Sequence, residues 1–177
     1  MLGLGNSLSG QSFSSTSSSA SSVLDKTFSF DSDVEGWSGQ NMSVDFISSF
    51  TPSNATERTG ILRAEDTTSV FNNPYVFINL SSFAGYDNSQ SLYYSISYSV
   101  SSTTDIQGIG SVGWGAGGSS NSHFATATED EWSEASGELT TVGSNDFFFI
   151  NFTTVPPSST GDYVHIDSVR VSHEDFR

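Results

Sequence analysis

Along residues 26–172 apolar side chains recur at every second position in short runs, and polar turns separate the runs. Leu92, Tyr94, Ile96, Tyr98 and Val100 form the clearest of these, and the positions between them are mostly serine. A period of two puts one face of a strand in a core and the other in water. The same signal predicts strands over Lys26–Phe30, Ser43–Ile47, Gly60–Glu65, Tyr75–Leu80, Ile106–Trp114, Glu138–Val142, Asp146–Thr153 and Tyr163–Ser172. Asp146–Thr153 contains Phe147-Phe148-Phe149-Ile150-Asn151-Phe152, which is apolar on both faces and predicts a central strand. In Tyr163–Ser172, Val164 and Ile166 share one face while Val169 and Val171 share the other. A β-bulge at Asp167-Ser168 restores a single buried face.

Short strands at regular spacing, with no helical period, predict an all-β, antiparallel β-sandwich. Residues 1–24 break the pattern. Met1–Leu8 is small and apolar, and the following stretch to Ser22 is dominated by serine. Such a segment builds no core of its own. The expected organisation is an extended N-terminal arm over 1–24 and a sandwich over 25–177. Leu2, Leu4, Leu8 and Phe13 are the arm's candidate partner-binding residues.

The charge changes the list of partners. The 177 residues carry 20 acidic and 5 basic side chains, a formal net charge of −15. Only Lys26, Arg58, Arg63, Arg170 and Arg177 are available to meet phosphates, which argues against nucleic acid. No apolar run approaches the ~20 residues that span a bilayer, so no membrane role is expected. The N-terminus shows no positive region of a secretory signal. Cysteine is absent, which excludes disulfides.

Three segments, in order, resemble the β-jelly roll of carbohydrate-binding modules. Phe28-Ser29-Phe30-Asp31-Ser32-Asp33-Val34-Glu35-Gly36-Trp37 resembles the opening strand, acidic turn and Gly-Trp. Glu129-Asp130-Glu131-Trp132-Ser133-Glu134-Ala135-Ser136-Gly137-Glu138-Leu139 resembles the Trp-centred strand followed by Ser-Gly. Tyr163–Val171 resembles the closing strand, with Ser168 where the family commonly has a second Asp. The resemblance implies a jelly roll in which the first and last strands are adjacent. It also implies a structural Ca²⁺ between the opening turn and the closing strand, with Asp31, Asp33, Glu35 and Asp167 as candidate ligands. The alternative is a turn at the bulge in which Asp167 accepts backbone N–H groups. No other cofactor is expected. Leu2-Gly3-Leu4-Gly5-Asn6-Ser7-Leu8 is similar to the opening of structural proteins from tailed, especially marine, bacteriophages.

Candidate chemistry is sparse. Gly108-Ile109-Gly110-Ser111-Val112-Gly113 matches the dinucleotide fingerprint in form, but the glycine-rich run after it permits no helix to receive a phosphate. Glu129 and Glu131 nearly reproduce a carboxylate pair of jelly-roll glycoside hydrolases, provided that they share a strand face. Trp37, Trp114 and Trp132, with Tyr86 and Tyr93, are candidates for stacking on a glycan. The combined expectation is a non-enzymatic virion structural protein of a tailed phage, anchored by its arm to other virion proteins, with a place on the particle surface. Capsid decoration is favoured over a tail or fibre position, and a homo-oligomer is expected. The alternative is a carbohydrate-binding, host-adhesion module that recognises surface glycans. A glycan-cleaving jelly roll is the third choice.

Overall fold

The structure is a computed structural model, and it describes residues 22–67, 74–100, 106–123, 127–154 and 163–177. The expected arm residues Leu2, Leu4, Leu8 and Phe13 lie outside the described residues. All the described regular elements are strands: β1 (Asp25–Phe28), β2 (Ser38–Gln40), β3 (Met42–Phe50), β4 (Arg58–Asp66), β5 (Tyr75–Asn79), β6 (Leu92–Val100), β7 (Ile106–Trp114), β8 (Ser120–Ser122), β9 (Ser133–Leu139), β10 (Phe147–Thr154) and β11 (Tyr163–Ser172). They form two antiparallel sheets. One has the order β3-β4-β11-β6-β9, with β1 also paired to β11; the other has the order β2-β5-β10-β7-β8.

The closing strand β11 is the spine of the six-stranded sheet. Val164 and Ile166 are fully buried, and so are Val169 and Val171. A register shift between Ile166 and Ser168 in the β6 ladder reconciles the two pairs. This is the bulge predicted by the parity switch. At the bulge β11 also changes neighbour: residues 163–166 pair with β4, and residues 169–172 pair with β1. First and last strands are therefore adjacent. Gly60 of β4 sits beside this junction with φ +70°, and the Ser29 and Phe30 carbonyls lie where a side chain would begin. Glycine answers both the left-handed backbone and the close approach.

The core lies between the sheets. Phe28, Trp37 and Phe148 meet edge to face, with ring centroids 5.5 and 6.1 Å apart. Phe30 is buried as expected, but β1 ends before it, and Phe30 takes φ 52° to turn its ring inward. Leu24 is also buried, and its amide and carbonyl bond Gly85 and His173, so the sandwich starts at or before that residue.

The short strands β2 and β8 have no predicted counterpart, and one predicted strand is displaced. The expected Glu138–Val142 is instead Ser133–Leu139. Its inward positions, Ala135 and Gly137, are too small to read as strand formers. Gly137 is small because the Tyr94 ring and hydroxyl occupy the space where a Cβ would be.

Candidate functional site

Two of the three tryptophans expected to stack on a ligand belong to the core. Trp37 is buried among Phe28, Phe30 and Phe148. Trp114 is fully buried and donates its indole N–H to the Tyr86 hydroxyl at 3.1 Å. Tyr86 in turn donates to Asp146 at 2.7 Å, and burial together with that carboxylate raises its pKa. A large aromatic side chain removes much apolar area from water when buried, which draws it inward. Trp132 alone is half-exposed. It packs edge-on to Phe50, donates to the Thr56 carbonyl at 3.0 Å, and lies under the Arg58 guanidinium. Tyr93 is covered in the same way by Arg177.

The exposed aromatic surface lies elsewhere, on the outer face of the five-stranded sheet. On β5, Val76 and Ile78 point inward and Tyr75 and Phe77 outward; on β10, Phe148, Ile150 and Phe152 point inward and Phe147, Phe149 and Asn151 outward. The register places Phe149 opposite Phe77 and Asn151 opposite Tyr75. Neighbouring rings are in contact: Phe77–Phe147 at 5.2 Å, Tyr75–Phe77 at 5.8 Å and Tyr75–Phe149 at 6.0 Å between centroids. They floor a cleft of about 400 Å³ that Asn145, Asn151 and Ala116 complete.

The ladders extend these rows across the sheet. One row runs Ser38, Phe77, Phe149, Gly113, Ser120; the next runs Gln40, Tyr75, Asn151, Ser111, Ser122. No charged side chain occurs in either row. One end of the cleft is built from main chain. Gly115 N–H donates to Phe147 O at 2.7 Å, Gly143 N–H to Trp114 O at 3.0 Å, and Ser144 N–H to Ala116 O at 2.9 Å. The glycine-rich run after Trp114 serves this close approach of two loops and opens no helix.

The signal for this face was present in the sequence. Tyr75-Val76-Phe77-Ile78 and Phe147–Phe152 are apolar at both parities, whereas Leu92–Val100 alternates with serine. Double-sided apolarity predicts a strand covered on both faces, and β10 is indeed central in its sheet. Among the described residues, however, no second layer covers its outer face, which is a half-exposed aromatic platform.

The charged residues gather away from it. Each of the five basic side chains has both a carboxylate and an aromatic partner. Lys26 bonds Glu35 and lies over Phe28; Arg58 bonds Asp167 and lies over Trp132; Arg63 bonds Asp45 and lies over Tyr163. Arg170 bonds Asp25 and lies over Phe176, and Arg177 bonds Asp175 and lies over Tyr93. These cations hold structure together and are already engaged.

The same pairings decide how the candidate Ca²⁺ ligands are used. Asp167 accepts from Arg58 at 2.7 Å, and Glu35 from Lys26 at 3.0 Å. Asp33 accepts the Glu35 N–H at 2.7 Å, and Asp31 accepts from Ser29 at 2.9 Å. Among the described residues no three acidic or histidine side chains come together to hold a metal. The four carboxylates do not fit the ion as a set, and the bulge aspartate is an ion-pair partner.

The carboxylates proposed for hydrolysis are also placed otherwise. Glu129 and Glu131 lie in the turn before β9, where Asp130 takes φ 58°, so strand alternation does not put them on one face.

His165 is a strongly perturbed group away from the cleft. It is buried on the outer side of the six-stranded sheet, stacked on Phe50 at 3.6 Å and 13°, and its Nδ1 has no partner. Burial, with the nearby Arg63 charge, pushes its pKa down to about 4.

No protein-family model matches the sequence, and no curated protein matches it. Solved structures do match in fold. The CBM22-1 xylan-binding domain from Paenibacillus barcinonensis Xyn10C is similar at 13% identity and TM-score 0.57, over 86% of this chain and 96% of that one. The C-terminal family 22 carbohydrate-binding module of Clostridium thermocellum Xyn10B is similar at 14% identity and TM-score 0.54, over 86% and 95%. The CBM22-1-GH10 modules of Clostridium thermocellum xylanase 10B, complexed with xylohexaose, match at 16% identity and TM-score 0.55, over 87% of this chain and 29% of that one. The chain thus has the β-sandwich fold seen in carbohydrate-binding modules.

Proposed function

We propose that the chain is a non-catalytic glycan-binding module, and that the outer face of its five-stranded sheet is the binding face. The observation that carries this reading is the joined platform of Tyr75, Phe77, Phe147 and Phe149, set among uncharged Ser, Asn and Gln side chains. A pyranose offers an apolar C–H face to such rings and hydroxyls to flanking amides. Ligand clefts commonly combine an apolar floor with a few polar groups that fix orientation.

The neutrality of the face selects a neutral chain. Uronic or sulfated glycans meet no available cation and are repelled by the net charge of −15. Binding should therefore be nearly independent of ionic strength, because screening acts on charges. Calorimetry with xylohexaose and cellohexaose at low and high salt, with polygalacturonate for comparison, tests this. The expected result is salt-insensitive binding of a neutral oligosaccharide and none of polygalacturonate. Binding that weakens steeply with salt, or a preference for the acidic polymer, would remove the reading.

Placement on a virion is a proposal from residues 2–8, which lie outside the described residues. A host-adhesion role would join it to the glycan-binding face. Detection of the chain beside capsid proteins in purified particles tests it, and absence from such particles removes it.

A further inference from the structure

We infer that Gly113 is a positioning residue for the platform: its missing side chain lets the Phe149 ring lie down across β7, and so fixes the shape of the surface that a glycan meets. The inference rests on the glycan-binding reading of this face. Gly113 stands directly opposite Phe149 in the β7–β10 ladder, on the outward side. The three atoms nearest to a Cβ built at Gly113 all belong to the tip of the Phe149 ring: Cζ, Cε1 and Cε2, the latter two at 2.7 and 2.8 Å. The ring therefore leans over the neighbouring strand, and its tip occupies the side-chain space of residue 113.

Neither common reason for a strand glycine applies here. Gly113 is not among the residues of positive φ, so any residue can adopt its backbone. No main-chain atom is among its three nearest neighbours. At Gly115, Gly118 and Gly143, by contrast, the nearest atoms are all backbone, and those glycines serve the contact between loops. A strand interior ordinarily favours a side chain that packs on its neighbours, and glycine there marks a close approach. At Gly113 the group that approaches is a ligand-facing ring.

With a methyl group at 113, Phe149 must leave its position for another staggered rotamer. The ring then stands off the sheet or crowds Tyr75 and Phe77, its neighbours on the other side. Either movement changes the shape of the cleft floor while leaving the core untouched.

The experiment compares wild type, Gly113→Ala, Phe149→Ala and the double variant, each titrated with xylohexaose and cellohexaose and each melted. Gly113→Ala should keep its melting temperature and bind on the order of tenfold more weakly, equivalent to about 1.4 kcal/mol. In the Phe149→Ala background the same substitution should change nothing, because there is no ring to displace. Unaltered affinity in Gly113→Ala, or an equal loss with and without Phe149, would overturn the inference. If wild type binds neither oligosaccharide, the glycan reading fails by itself. The placement of the ring is then read from the nuclear Overhauser contact between the Phe149 ring and the Gly113 α-protons. Its presence in wild type supports the positioning role and its absence refutes it.

Discussion

Replacing Phe77 and Phe149 together by alanine should abolish glycan binding and leave the fold intact. The two residues stand opposite each other in the β5–β10 ladder at the centre of the platform. Central aromatic side chains of a binding surface typically contribute about 2 kcal/mol or more each, and 2 kcal/mol corresponds to roughly 30-fold in affinity. Both rings are half-exposed, whereas the inward residues of the same strands, Val76, Ile78, Phe148 and Ile150, are buried in the core. The double variant therefore creates no internal cavity, and its melting temperature should stay close to that of wild type. Replacing Trp132, half-exposed beside the six-stranded sheet, should leave binding unchanged, although its sequence position marked it as a ligand candidate. Equal retention of xylohexaose or cellohexaose by the double variant and wild type would move the binding face off this sheet.

Stability should fall as the pH drops from about 6.5 towards 4, and His165 should account for much of the fall. An unfolded histidine takes up its proton near pH 6.5. In the folded chain burial and Arg63 hold that step down to about pH 4. Across this window the unfolded chain binds a proton that the native chain refuses, so each pH unit removes about 1.4 kcal/mol of stability, up to roughly 3 kcal/mol in total. Above pH 6.5 the group is neutral in both states and contributes no slope. Arg63 and Ser99 oppose His165 on the flanking strands, and the rings of Phe50 and Tyr163 lie against it. Ser99 Oγ and Arg63 Nε are buried and unpartnered like His165 Nδ1, and the carboxylate of this row, Asp45, is taken by Arg63. His165→Phe keeps the stack on Phe50 and removes both nitrogens. It should flatten the slope between pH 6.5 and 4.5 and leave stability at neutral pH equal or higher. Parallel losses in wild type and variant, measured by urea denaturation, would assign the acid sensitivity to other groups.

The fold was readable because its strands obey one local rule. Alternation located β6 at Leu92–Val100, and the parity switch at Asp167 located the bulge, since a buried face tolerates no one-residue slip. The strand β9 escaped because its inward residues Ala135 and Gly137 are small, and Gly137 leaves room for Tyr94, a requirement set by a strand distant in sequence. The candidate site was legible only in part. Tryptophan is a reasonable guess for a stacking residue, but nothing local distinguishes a core ring from a surface ring. Trp37 and Trp114 are inside because the core needs their area. Phe149 and Phe77 are outside because their parity follows Phe148 and Val76 into the sheet. Their double-sided strands carried the signal, and it became a site only when the topology placed β5 beside β10. The role of Asp167 was open between a turn and an ion, and Arg58, 109 residues away along the chain, takes it up.

The most direct test of the glycan-binding face is a titration of isotope-labelled protein with xylohexaose and cellohexaose, followed by amide and aromatic chemical shifts. The account predicts saturable shifts confined to Tyr75, Phe77, Asn145, Phe147, Phe149, Asn151 and their neighbours on β7. Shifts centred on Trp132 and the six-stranded sheet, or none with any neutral oligosaccharide, would contradict it.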